Sequence, residues 1–137
     1  MKGEHEHMTG SEREVWQVIR AFNQAFAGNN PDEYFQYIDA DITVLTPGNP
    51  YRVEGLEADR EEFEFGLQQG YSRVGYFQEL QAQIKVFGDV ALATYYSRGS
   101  YGLESQAKTR YLKETDVLVK RPQGWKLVHI HVSSAGT

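Results

Sequence analysis

Glu114 and Asp116 stand two residues apart in Glu114-Thr115-Asp116-Val117, so in an extended strand both carboxyls project from one face. Close like charges beside apolar groups push one pKa upward and leave a carboxyl able to donate a proton. Tyr95 and Tyr101 share one face of a preceding strand and could orient a carbonyl or hydroxyl against that acid. Such a site could do acid–base chemistry without a cofactor, with Glu114 and Asp116 as its candidate catalytic residues. A plainer reading is open as well. Arg110, four residues before Glu114 on the same face, could neutralise it and leave Asp116 near solvent; structural ion pairs perturb pKa values too. The ion-pair reading is the simpler one, and it leans away from an enzyme.

Other reactive chemistry is thin. With no cysteine there is no disulfide, thiolate metal site or Cys nucleophile. His129 and His131 alternate on the last strand, but no third ligand stands near them. His5-Glu6-His7 lies in a polar stretch better read as a tail than as a ligand set. Asp39 and Asp41 flank the entrance to a short strand, where helix-terminal and turn roles account for them. Pro47-Gly48-Asn49-Pro50 lacks the glycine spacing and lysine of a phosphate cradle. No metal site and no cofactor is expected.

The elements that must position these residues follow from periodicity. Ser11-Glu12-Arg13-Glu14 reads as a capping box. Val15, Ile19, Phe22 and Phe26 then form a helical stripe that Gly28 ends. Asn30-Pro31-Asp32-Glu33 opens a short second helix with Tyr34, Phe35, Tyr37 and Ile38 on its apolar side. Ile42 to Thr46 is a strand, and 56–69 a third helix with Phe63 and Leu67 toward the core. From Tyr71 the chain turns β. Leu80, Ala82, Ile84 and Val86 alternate with Glu79, Gln81, Gln83 and Lys85. Two further strands and a tight turn at Pro122 lead to a last strand from Gly124 to Ser133. There, strict alternation sets Val128, Ile130 and Val132 against Trp125, Leu127, His129, His131 and Ser133. Helices and strands are segregated, which predicts an α+β fold: a curved antiparallel sheet wrapped around three N-terminal helices. A tail over 1–10 and a single domain over 11–137 are expected.

At 137 residues the chain suits one domain, and nine Tyr and seven Phe suit an amphipathic cavity or an interface. A net charge of −5 with scattered basic residues argues against nucleic acid. No apolar run approaches the roughly 20 residues of a membrane helix, and a cytoplasmic location is expected.

The chain resembles the nuclear transport factor two-like (SnoaL-like) superfamily, and within it the association (hub) domain of calcium/calmodulin-dependent protein kinase II. The resemblance rests on Val53-Glu54-Gly55-Leu56 leading into Arg60 and Phe63, on Glu114-Thr115 with Val117, and above all on Gly124-Trp125, Val128-His129, His131 and Ser133. It implies a cone-shaped, cystatin-like fold and self-association as a homodimer, with stacking into higher rings. It also implies a pocket on the inner face of the sheet, in which Glu114 and Asp116 would be the acid and base of a cofactor-free isomerase, dehydratase or cyclase if the chain is an enzyme. Positions that hold pocket arginines in hub domains fall here on Ser97, Asp116 and Val132, so the anion site of the hubs is not implied for this chain. Tyr37, Tyr95, Ser97, Tyr101, Arg110 and Val132 are the candidate ligand-binding residues, and the ligand is expected to be neutral or cationic. A strand with sizeable side chains on both faces needs a second cover, which two-fold pairing supplies. Trp125, Leu127, His129 and His131 are the candidate dimer interface.

Overall fold

Residues 7–72, 77–103 and 108–136 are described by a computed structural model. His5 and Glu6 of the N-terminal stretch, and the connection around 104–107, lie outside the described residues. The first helix, α1 (Gly10–Ala27), is capped by Thr9 rather than Ser11. The Thr9 hydroxyl accepts from the Glu12 N–H at 3.2 Å, and the Glu12 carboxylate accepts from the Thr9 N–H at 2.7 Å. Met8, just before the cap, packs against the core. Val15, Ile19 and Phe22 are buried as the stripe requires, with Phe26 partly buried beside them. Asn23 is buried on the same helix face.

A short helix, α2 (Pro31–Tyr34), and one 3₁₀ turn (Phe35–Tyr37) lead into β1 (Ile38–Leu45) and β2 (Val53–Glu54). Helix α3 (Leu56–Gln68) follows, and then β3 (Tyr71–Ser72), β4 (Phe77–Phe87), β5 (Val90–Leu103), β6 (Lys108–Arg121) and β7 (Gly124–Ser134). The sheet order is β2-β1-β7-β6-β5, with β3 and β4 pairing successive stretches of the remaining edge of β5. All pairings are antiparallel except β1 with β7, which is parallel. The curved sheet stays open and the helices lie against its inner face. Phe26, Tyr34, Phe35 and Phe63 pack ring against ring where α1, α2 and α3 meet.

Two bulges overturn the simple alternation expected of the long strands. In β4, Leu80 pairs with Tyr96 and Gln83 with Thr94, so Gln81 and Ala82 together oppose Tyr95. Gln81 has a φ of 54°, a left-handed conformation that non-glycine residues avoid. Alternation therefore changes parity across the bulge. Ala82 and Ile84 face inward as expected, but before them it is Glu79 that faces inward, and Leu80 turns outward opposite the exposed Tyr96. In β7, Leu127 pairs with Leu118 and His129 with Val117, which leaves Val128 as the extra residue. Trp125 and Leu127 thus share the inner face with Ile130, all three in the core, while His129 and His131 face outward. The expectation that these four residues form one face is corrected here. Trp125 and Leu127 are covered by the chain's own helices, at 4% and 0% exposure.

Candidate functional site

Three elements meet at the Tyr95 hydroxyl, and a fourth reaches it through Asn23. Tyr95 is on β5, directly across from Glu114 on β6, and Asp116 is two residues further along β6 on the same inward face. The hydroxyl donates to Oε2 of Glu114 at 2.7 Å and lies 2.8 Å from Oδ2 of Asp116. From α1, Asn23 Nδ2 donates to the same hydroxyl at 3.2 Å and to Oε2 of Glu79 at 3.1 Å. Glu79 arrives from β4 through the bulge, and Arg20, one turn before Asn23, approaches its Oε1 at 3.5 Å.

A phenol carries one proton, yet this one stands within hydrogen-bonding distance of two carboxyls. With both ionised, one of those contacts would set oxygen against oxygen with no hydrogen between them. One carboxyl must therefore hold a proton. Burial is the main reason: Glu114 and Asp116 are 7% and 0% exposed, and desolvation penalises their charged forms. Burial pushes Asp116 well above the ordinary carboxylate range, and the Glu114 charge pushes it further. Burial raises Glu114 too, with a smaller push from Glu79. The Tyr95 phenol is driven well above 10 by burial and by both acids, so it remains a donor. The pair titrates as a unit sharing one proton, with Asp116 the better seat for it.

Ser97 and Trp125 face the same interior. Ser97 Oγ and Trp125 Nε1 are buried with no hydrogen-bond partner among the described residues, and no described N–H or O–H reaches Oδ1 of Asp116. Buried polar groups are normally paired, so this concentration of unpaired atoms marks the interior of the sheet as chemically unfinished. Among the described residues no three His, Cys, Asp or Glu side chains converge as metal ligands. The Tyr95 hydroxyl and the Asn23 amide stand between the acids instead.

The structure brings together Tyr95, Glu114 and Asp116, with Ser97 and Tyr101 on the same face and Val132 paired with Glu114 across β6 and β7. It does not bring in Arg110, which is exposed, pairs in register with Gly99, and forms no ion pair with Glu114. The neutralisation of Glu114 by Arg110 and the solvent-facing Asp116 of the plainer reading are both overturned. Tyr37 lies partly buried in the 3₁₀ turn, packed against the core. On the inner face Tyr95, Ser97, Tyr101, Glu114 and Asp116 are all buried. A shallow depression of about 400 Å³ on α1 is lined by residues that include Trp16 and Arg20. Asp39, as expected, has a structural role: it accepts two hydrogen bonds from Arg121, whose guanidinium holds its carboxyl below the usual range.

On the outer face, His129 Nδ1 hydrogen-bonds with Thr43 Oγ1 at 2.6 Å, and His131 stacks edge-on beside it at 6.5 Å between ring centres. Burial, then the neighbouring His131 and Arg52, lowers the His129 pKa below its ordinary 6.5.

Residues 15–136 match the family model described as SnoaL-like domain, and the chain belongs to that family. Solved structures share the fold. The CaMKII hub of S. rosetta, 25% identical, superposes with a TM-score of 0.77 over 93% of this chain and 99% of the hub chain. A ketosteroid isomerase-like protein from Erwinia carotovora atroseptica, 14% identical, reaches 0.80 over 95% of this chain and 100% of its own. An NTF2-like protein from Pseudomonas putida, 20% identical, reaches 0.79 over 92% of this chain and 87% of its own. Among curated proteins there is no significant match. No helix of the described residues is long and apolar enough to cross a membrane.

Proposed function

We propose that the chain is a homodimeric small-molecule-binding domain that takes a neutral or cationic, largely apolar ligand on the inner face of its sheet. The observation that carries this reading is the Tyr95 hydroxyl, held between two buried carboxyls that no described cation reaches. A carboxylate ligand entering beside them would lose hydration and meet like charge. A hydroxyl, carbonyl or amine would instead find donors and acceptors already aimed. Self-association is supported by the likeness to the S. rosetta CaMKII hub, which also leaves open assembly beyond a dimer. The lack of cysteine fits the reducing cytoplasm.

Calorimetric titration with benzyl alcohol, benzylamine and benzoate tests the reading. Uptake of the alcohol or the amine is expected, weakened at least tenfold in Tyr95→Phe. Tighter uptake of benzoate than of the alcohol and the amine would overturn it.

One observation favours a second reading, a cofactor-free isomerase or lyase. A neutral carboxyl on Asp116 beside the Tyr95 phenol offers two hydrogen-bond donors in a dry site, the arrangement that stabilises an oxyanion. Glu114, raised but less so, is then the base. Deuterium exchange α to the carbonyl of a cyclic unsaturated ketone, lost in Asp116→Ala, is its signature. No exchange above the buffer rate with wild-type protein would end this second reading.

A further inference from the structure

The acid least expected on the inner face is Glu79. Regular alternation along β4 would place Leu80 inside; the bulge turns Glu79 inward instead and holds Gln81 in a left-handed conformation to do so. Strained backbone of this kind gathers at functional sites. Glu79 retains only 9% of its side-chain exposure, and its two oxygens have different partners. Oε2 accepts from the buried Asn23 amide, whereas Oε1 faces Arg20 alone among the described residues. That ion pair is long, at 3.5 Å through one nitrogen, and the Arg20 side chain is 47% exposed. Arg20 also stacks over the Trp16 ring, 5.8 Å from its centre, in the lining of the 400 Å³ depression on α1. It can swing into solvent at little cost.

An independent observation points into the same space. Ser97, 1% exposed, is the direct cross-strand partner of Glu79, and its hydroxyl has no hydrogen-bond partner among the described residues. A carboxylate oxygen held, among the described residues, by one replaceable surface cation, opposite a buried hydroxyl that none of them engages, is a half-made ammonium site.

We infer that Glu79 is the specificity-determining residue of the inner-face site, and that it selects a ligand bearing a protonated primary or secondary amine, with the Arg20 guanidinium standing in for that amine. The inference rests on the proposed small-molecule binding and narrows it from neutral or cationic to cationic. The ammonium takes the place of Arg20 on Oε1 of Glu79 and donates to Ser97 Oγ. The apolar part of the ligand lies inward, toward Tyr95 and Trp125. A metal ion does not suit the position, because the Tyr95 hydroxyl and the Asn23 amide already separate the three acids. A cation arriving beside Glu79 and Glu114 also favours the ionised state of the shared carboxyl pair, so binding releases a proton.

The test uses the full chain with benzylamine and its neutral analogue benzyl alcohol, followed by the indole N–H resonance of Trp125 and by calorimetry in two buffers of different ionisation enthalpy. Benzylamine is expected to shift the resonance and to bind at least tenfold more tightly than benzyl alcohol, with proton release. Glu79→Gln, nearly isosteric, should remove that preference while leaving alcohol binding intact, and Arg20→Gln should strengthen amine binding severalfold. Alcohol binding equal to or tighter than amine binding in the wild type, or an amine preference that survives Glu79→Gln, would overturn this inference and leave the small-molecule reading standing. Binding of neither probe would overturn both.

Discussion

Asp59 is the buried acid that the inner-face cluster does not use. It sits in the first turns of α3, 9% exposed, with Oδ2 unpaired among the described residues. Burial, with a smaller push from Glu62, raises its pKa from 3.8 to about 7. A carboxyl raised on folding binds its proton more tightly in the native state, so its contribution to stability is full below about pH 4 and is lost as pH rises to 7. By the rule of roughly 1.4 kcal/mol per pKa unit, that loss is at most about 4 kcal/mol. Glu114 and Asp116, also raised, act in the same direction. Asp59→Asn should therefore raise the thermal midpoint more at pH 8 than at pH 5. An equal shift at both values would show that Asp59 is not neutral in the fold. The sequence made Glu114, Asp116, Tyr95 and Ser97 legible, because strand periodicity alone puts each pair on one face. Asn23 was readable but overlooked: it lies four residues after Ile19 on the buried stripe, where a polar side chain signals a partner inside. Glu79 was hidden, since its inward turn depends on the pairing of β4 with β5 and on nothing local.

Elements explain why. Periodicity located both long strands affected, but a bulge is a negotiation between two strands, and one strand's pattern does not reveal it. Gln81 illustrates the cost. A side chain in the left-handed region pays about 1–2 kcal/mol, part of which glycine avoids. Gln81→Gly is expected to stabilise by about 0.5–1 kcal/mol, and Gln81→Val, branched at Cβ, to destabilise by at least about 1 kcal/mol, both read from denaturant midpoints at constant slope. The opposite order would mean that the bulge is absent in solution. At the N-terminus the helix signal was sound but misplaced by two residues, because Ser11 and Thr9 both offer a hydroxyl and only Thr9 has a glutamate three residues on that reaches back. Thr9→Ala should cost about 1 kcal/mol. Removing residues 1–6 should leave the midpoint unchanged, whereas removing residues 1–9 should lower it, since the cap and Met8 go with them.

At the scale of the whole molecule, the helices cover one face of the sheet and leave the other open. Across it run Leu92, Val117 and His129 in one row, then Thr94, Thr115 and His131 in the next, with Leu45 beside His131 on β1. Most of these side chains are half-buried within the single chain, and Tyr96 and Tyr111 stand exposed at 44% and 53% further along β5 and β6. The mixture of apolar, hydroxyl and imidazole groups suits an isologous contact, in which each side chain can find a complement in a second copy. With Trp125 and Leu127 assigned to the core, the pairing proposed for this chain falls to Val117 and the two histidines. Sedimentation at micromolar concentration and pH 7.5 should give a dimer. Val117→Asp, which adds a charge where an interface would have to desolvate it, should give a folded monomer with an unchanged far-ultraviolet spectrum. His129 adds a pH dependence of known sign. Its pKa is lowered by burial, so the neutral ring is the one the structure favours, and stability from this residue is complete above about pH 6.5 and lost as pH falls below it. Burial against a second copy would lower the pKa further, so the dimer should loosen as pH falls below about 6.5, and His129→Gln should remove that dependence. A wild-type monomer at pH 7.5, or a dimer indifferent to Val117→Asp, would place the association surface elsewhere on the molecule.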